Sequence, residues 1–163
     1  VNVGFNLVPA LIGKKVDAIV GAYWTHESIV MELLGFSVRV LRMEDWGVPD
    51  FYELVLVASQ DTVSQDPDVV QRFLRATARG FADAIEEPQV AVDALVGAYP
   101  EMDKALETRG IELLAPMWTE GAPTFGWQTR ERWQGLAQWM KHEGLLKEEV
   151  NENEAFTSEF VTQ

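Results

Sequence analysis

Short apolar runs alternate with short helical patterns over the first 43 residues, and this alternation constrains the fold more than any other feature. Residues 1–3 read as a strand, and residues 7–14 as a helix entered through Asn6, with Pro9 in its first turn. Residues 16–20 (Val-Asp-Ala-Ile-Val) form a second apolar run. A helix over residues 27–34 follows, with Gly35 placed to stop it as the C′ residue. Residues 37–43 alternate apolar and charged side chains, the period of a half-buried strand. A β-α-β-α-β order with connections this short implies a parallel sheet with right-handed crossovers.

The turn between the second strand and second helix is Gly21-Ala22-Tyr23-Trp24-Thr25-His26-Glu27. Open α/β folds place ligands at the carboxyl edge of the sheet, which is where such a turn lies. Tyr23 and Trp24 supply faces on which a flat, nitrogen-rich ring can stack, and Glu27 can accept hydrogen bonds from an amino group on its rim. Against this stands the plain role of Glu27 as an acid in a helix first turn, where the macrodipole favours it. Asn6 lies at the same edge as a helix cap whose amide could also face a cleft. His26 reads as a solvent-facing residue at the helix entry. His142, far along the chain, makes no metal pair with it.

After a turn-rich stretch at residues 44–50, residues 53–58 form another apolar strand, and the pattern then becomes helical. Asp66-Pro67 opens a helix with Val69, Val70, Phe73, Leu74, Thr77, Phe81 and Ile85 along one face. Further helices follow Pro88, span about residues 101–114 with Gly110 as a weak point, and begin after Thr129 with Trp133, Leu136, Ala137 and Met140 facing inward. Gly144 ends the last one, and residues 147–163 read as an acidic, irregular tail with Phe156 and Phe160 as anchors. Trp118, Trp127, Trp133 and Trp139 look like a stacking set, although Trp133 and Trp139 lie at helical spacing and fit helix packing better.

Composition narrows the function classes. A net charge of −13 in 163 residues argues against nucleic acid and against anionic membrane surfaces. No cysteine is present, which excludes disulfides, thiol nucleophiles and thiolate metal sites in this chain. No apolar run approaches a membrane span, and there is no GxGxxG, P-loop or defensible Ser/His/Asp order. The chain opens with Val1 in what reads as an interior strand, so we expect a fragment or processed form.

Several segments in order resemble the thiamine-pyrimidine-precursor binding proteins of the NMT1/THI5-like family. They are Val3-Gly4-Phe5-Asn6-Leu7-Val8-Pro9-Ala10-Leu11, Lys15-Val16-Asp17-Ala18, the turn from Gly21 to Glu27, Gly47-Val48-Pro49-Asp50-Phe51-Tyr52-Glu53-Leu54-Val55, Arg132-Trp133, Gln138-Trp139-Met140 and Glu154-Ala155-Phe156-Thr157-Ser158-Glu159-Phe160. The resemblance implies the C-terminal half of an α/β, type II-like periplasmic binding protein. In that frame residues 1–46 belong to the second lobe, 47–58 form a crossover strand and hinge, 59–146 are helices of the first lobe, and 147–163 are a tail.

It further implies a solute-binding component of an ABC importer, without enzymatic activity or cofactor. A formylaminopyrimidine or hydroxymethylpyrimidine would lie between the lobes, on a site mapping to Tyr23, Trp24, Glu27 and Asn6. The partners expected are that small molecule and a permease, with self-association of a fragment as a further expectation. The compartment would be periplasmic or extracellular, and the parent a possible membrane-anchored lipoprotein. The alternative is a related pyridoxal-phosphate-dependent hydroxymethylpyrimidine phosphate synthase, whose cysteine-rich motif has no counterpart here.

Overall fold

The computed structural model describes residues 1–161. Eight α-helices run along it: α1 (Leu7–Ile12), α2 (Glu27–Leu33), α3 (Gln60–Gln65), α4 (Pro67–Glu86), α5 (Pro88–Ala98), α6 (Lys104–Leu114), α7 (Arg130–His142) and α8 (Glu152–Ala155). Short 3₁₀ turns occupy Met43–Trp46 and Ala115–Met117.

The helix ends follow local chemistry. Asp103 caps α6 by accepting the Ala105 and Leu106 amides at 2.8 and 3.1 Å, which moves its start to Lys104 from the expected residue 101. Thr129 caps α7, as its sequence position predicts. Gly35, at φ +81°, closes α2: its amide donates to the Glu32 carbonyl and that of Phe36 to the Met31 carbonyl, the paired bonds of a Schellman motif. α4 and α5 each begin on the proline that marked them. Asn6 stands at the N-cap of α1, yet its side chain makes no capping bond, which corrects the expected role.

The strands are the main departure. Residues 1–3, 16–20, 37–43 and 53–58 form no ladder, so the parallel sheet is not present among the described residues. Met43, the last residue of the third run, enters the 3₁₀ turn instead. A strand needs a neighbour to satisfy its backbone groups, and none of these segments pairs with another. Several of their side chains stay in water: Val20 is 87% exposed, Leu54 80% and Val57 87%.

By internal contacts the described chain divides into two compact units that interleave along it. One comprises Val1–Val40 and Asp83–Trp118, the other Leu41–Ala82 and Thr119 onward. In the first, α1 packs on α2, and α6 on both α2 and α5. The buried apolar residues Ala10, Ile29, Met31, Val92, Leu106 and Ala115 lie here. An Arg109–Glu32 ion pair ties α6 to α2, and Lys104 meets Asp93 of α5 at 2.6 Å. Gly110 is not a weak point but a contact: a Cβ there would stand 3.2 Å from the Thr25 carbonyl oxygen, so the bare backbone lets α6 approach the turn before α2.

The second unit has no fully buried residue among those described. Trp133 stacks on Phe156 at 5.8 Å with 4° between the planes, and lies 6.3 Å from Tyr52. The tail is therefore anchored by Phe156, as expected, although it includes the short α8. Arg132 pairs with Asp50 at 2.5 Å while its guanidinium lies 4.8 Å over the Tyr52 ring. The Tyr52 hydroxyl accepts the Thr129 amide at 2.9 Å. Phe81 of α4 stacks on Phe125 at 3.8 Å. The apolar stripe of α4 is otherwise poorly covered: no residue of this helix is buried, and Phe73 is 58% exposed.

Candidate functional site

The turn before α2 is built on its own hydrogen bonds. The Tyr23 carbonyl accepts the amides of His26 and Glu27 at 3.0 and 2.9 Å, and the Ser28 hydroxyl donates to the Trp24 carbonyl. The Glu27 carboxylate folds back over the turn, and its Oε2 accepts the Tyr23 amide at 2.8 Å. The acid thus satisfies a donor ahead of the helix, while the N-cap residue His26 makes no side-chain capping bond. The helix-entry role of Glu27 is thus real, and it uses one oxygen. Oε1 makes no hydrogen bond among the described residues. Sequence alone did not reveal this fold-back, because it depends on the backbone path through the turn.

The four predicted residues are placed differently. Tyr23 is 41% exposed, Trp24 is half-buried, and the Glu27 side chain is 19% exposed. Thr25 between them is buried, so the turn is pinned at its centre while Tyr23 faces solvent. Behind Thr25 stands Gly110 of α6. A glycine inside the otherwise strong helix former Lys-Ala-Leu-Glu-Thr-Arg-Gly-Ile-Glu-Leu-Leu was the sequence cue for that close approach. Asn6 is exposed at the start of α1, which packs on α2, but no hydrogen bond joins its side chain to the turn. Tyr23, Trp24 and Glu27 are therefore brought together, and Asn6 is not shown to join them.

His26 is half exposed, with Nδ1 3.7 Å from Glu27 Oε2, in keeping with its helix-entry reading. No cluster of three metal-ligating side chains occurs among the described residues. The lowered pKa values all lie away from the turn. A hydrogen bond from Lys104 holds Asp93 below the usual aspartate range, Lys141 does the same for Glu149, and Glu44 is lowered by a backbone amide and then by Arg42.

A second feature went unread in the sequence. Phe51, Tyr52, Arg132, Trp133 and Leu136 line a shallow hollow of about 10 Å³. That is well below the ~300–1,000 Å³ of small-molecule sites, and none of the four predicted residues borders it. Its walls are already engaged with Asp50, Thr129, Gln128 and Phe156, so it reads as packing around the α7 start.

Comparison with known proteins adds what the geometry leaves open. The chain is 28% identical over 161 residues to the formylaminopyrimidine-binding protein of Halalkalibacterium halodurans, covering 96% of this chain and 49% of that relative. It is likewise 28% identical over 166 residues to the riboflavin-binding protein RibY of Chloroflexus aurantiacus, covering 98% of this chain and 46% of that one. A 4-amino-5-hydroxymethyl-2-methylpyrimidine phosphate synthase of Legionella pneumophila is 24% identical over 163 residues, covering 99% and 50%. The chain thus spans about half the length of the curated relatives it matches. The model of the NMT1/THI5-like family, which has a periplasmic-binding-protein-like fold, matches residues 1–91, more than half of the chain, and the chain belongs to that family.

Proposed function

We propose that this chain forms part of a solute-binding protein that holds an aminopyrimidine precursor of thiamine and delivers it to an ABC importer. The observation that carries the reading is the turn itself: an exposed Tyr23 and a Glu27 carboxylate with a free oxygen share one hydrogen-bonded turn. A planar heterocycle can stack on Tyr23 or Trp24 while its amino group donates to Glu27 Oε1. Asn6 at the start of α1 is a further candidate contact. Two relatives named for binding formylaminopyrimidine and riboflavin support a flat, nitrogen-rich ring as the ligand class.

In this reading the solute is held between two lobes of a type II-like binding protein, no bond is made or broken, and no cofactor is required. The protein works outside the cytoplasmic membrane and its macromolecular partner is a permease. Among the described residues no helix is long and apolar enough to cross a membrane.

Isothermal titration with formylaminopyrimidine, 4-amino-5-hydroxymethyl-2-methylpyrimidine and riboflavin tests the proposal. A polypeptide containing this chain over the full length of its relatives should prefer one of the two pyrimidines. There, Glu27→Gln should weaken binding by about 1–3 kcal/mol, the scale of a charged hydrogen bond. Unchanged affinity would remove Glu27 from the site, and preference for riboflavin would reassign the ligand. A pyridoxal absorbance band in the purified protein would favour the synthase reading.

A further inference from the structure

Opposite the apolar stripe of α4 stand Arg72, Arg75 and Arg79, all exposed. At about 100° per residue they share a sector of about 60° and span about 10 Å of the helix axis. This sector faces away from the apolar stripe, so it stays in water whatever comes to lie on the other side. Residues 69–82 contain these three arginines and no acid, in a chain whose net charge is −13. None of the three makes an ion pair among the described residues. Asp68 and Asp83 lie four residues from Arg72 and Arg79, the spacing of a helical salt bridge, yet neither pair closes. The Arg72 Nε donates to the Asp68 carbonyl oxygen at 3.3 Å instead. Arg75 sits three and four residues from the other two, so like charges neighbour one another along the stripe, which slightly disfavours the helix. Elsewhere the cations meet acids, as Arg42 meets Glu44, Arg109 meets Glu32 and Arg132 meets Asp50.

We propose that Arg72, Arg75 and Arg79 dock an acidic helical segment of a partner protein, one whose carboxylates recur at the same i, i+3, i+7 spacing. Three exposed guanidiniums in register are a preformed surface for carboxylates, which the planar fork takes in bidentate fashion. Extended polyanions fit less well. An anionic bilayer or a nucleic acid would also meet the rest of a strongly acidic body, whose repulsion reaches about 8–10 Å at ordinary salt. A short segment touches the stripe alone. A second copy of this chain is opposed by the same net charge. The proposal does not depend on which solute the turn before α2 holds.

Fluorescence anisotropy tests this with a labelled, alanine-rich helical peptide as probe, carrying glutamate at i, i+3 and i+7. The protein is a polypeptide containing this chain over the full length of its relatives. The peptide should bind, and its affinity should fall as salt rises from about 0.05 to 0.5 M. Arg72→Gln, Arg75→Gln and Arg79→Gln together should weaken binding on the order of tenfold. The three matching Lys substitutions, which keep the charge and lose the fork, should weaken it only about two- to threefold. All three side chains are exposed, so helical circular dichroism and the titration with pyrimidines should match the parent in both variants. A probe that the parent does not bind at millimolar concentration, that the Gln variant binds equally, or that binds as tightly with glutamine in place of glutamate would overturn the proposal. Tighter arginine-dependent binding of phosphatidylglycerol vesicles or of single-stranded oligothymidylate would reassign the stripe and overturn it equally.

Discussion

The two units are held together by different physics. In the first, six buried apolar residues on α1, α2, α5, α6 and the following 3₁₀ turn form a small core, and the candidate turn is fastened to it through Thr25 and Gly110. In the second, no described residue is fully buried, and order comes from directional contacts: the Trp133–Phe156 stack, Arg132 between Asp50 and Tyr52, and the Ser158 hydroxyl bonded to both amide and carbonyl of Gln128. Apolar burial acts in proportion to area, whereas exposed ion pairs and stacks each contribute only about 0.5–1.5 kcal/mol or less. The unit that carries the turn is therefore expected to be the more robust one.

The largest test of that contrast is Ile29→Ala. Ile29 is 2% exposed in the first unit, and its truncation should cost about 2–5 kcal/mol. Hydrogen exchange should show α2 and α6 losing protection while α7 keeps its own. Equal loss in α7 would mean the units are not energetically distinct.

Next in size is Gly110→Leu, which forces a side chain toward the Thr25 carbonyl and should cost about 1–3 kcal/mol by overpacking. Because α6 supports the turn there, Tyr23 fluorescence quenching by iodide should change too. An unaltered turn would separate the site from the core behind it.

Phe156→Ala in the second unit should cost about 1 kcal/mol, the scale of an aromatic pair. Proteolysis of the tail beyond residue 146 should quicken with little change in the melting of α2 and α6. A loss as large as that of Ile29→Ala would place a real core where the structure shows none.

The smallest effect is electrostatic. Asp93 has a lowered native pKa because Lys104 donates to it, so the α5–α6 contact is fully supported above the ordinary aspartate range. That support is lost as the pH falls below that range and through the lowered native value. Thermal melts of Asp93→Asn should lack this part of the acid dependence. A variant that matches the parent at every pH would show the pair to be energetically silent, as many exposed pairs are.

Much of the helical skeleton was legible in the sequence because its determinants are local. Pro67, Pro88, Thr129, Gly35 and Gly144 act on residues within one turn of themselves, and the helix boundaries follow them closely. Asn6 shows the limit of that logic: it occupies the cap position but its side chain makes no capping bond. The site was legible as a set of residue types on one turn, and Tyr23, Trp24 and Glu27 do share it. What Glu27 does with Oε2 was not legible, since a carboxylate reaching back four residues depends on the dihedral path of the turn.

The sequence by itself determined where helices start and stop, which residues crowd the turn before α2, and the family, because these rest on neighbours along the chain and on the order of motifs. Only the tertiary structure decided that the four apolar runs stay unpaired, that α6 backs the turn through Gly110, and that the α7 region is held by aromatic and ionic contacts. Strand pairing and close packing join residues far apart in sequence, so an apolar run specifies a strand only when a neighbour is there to complete its hydrogen bonds.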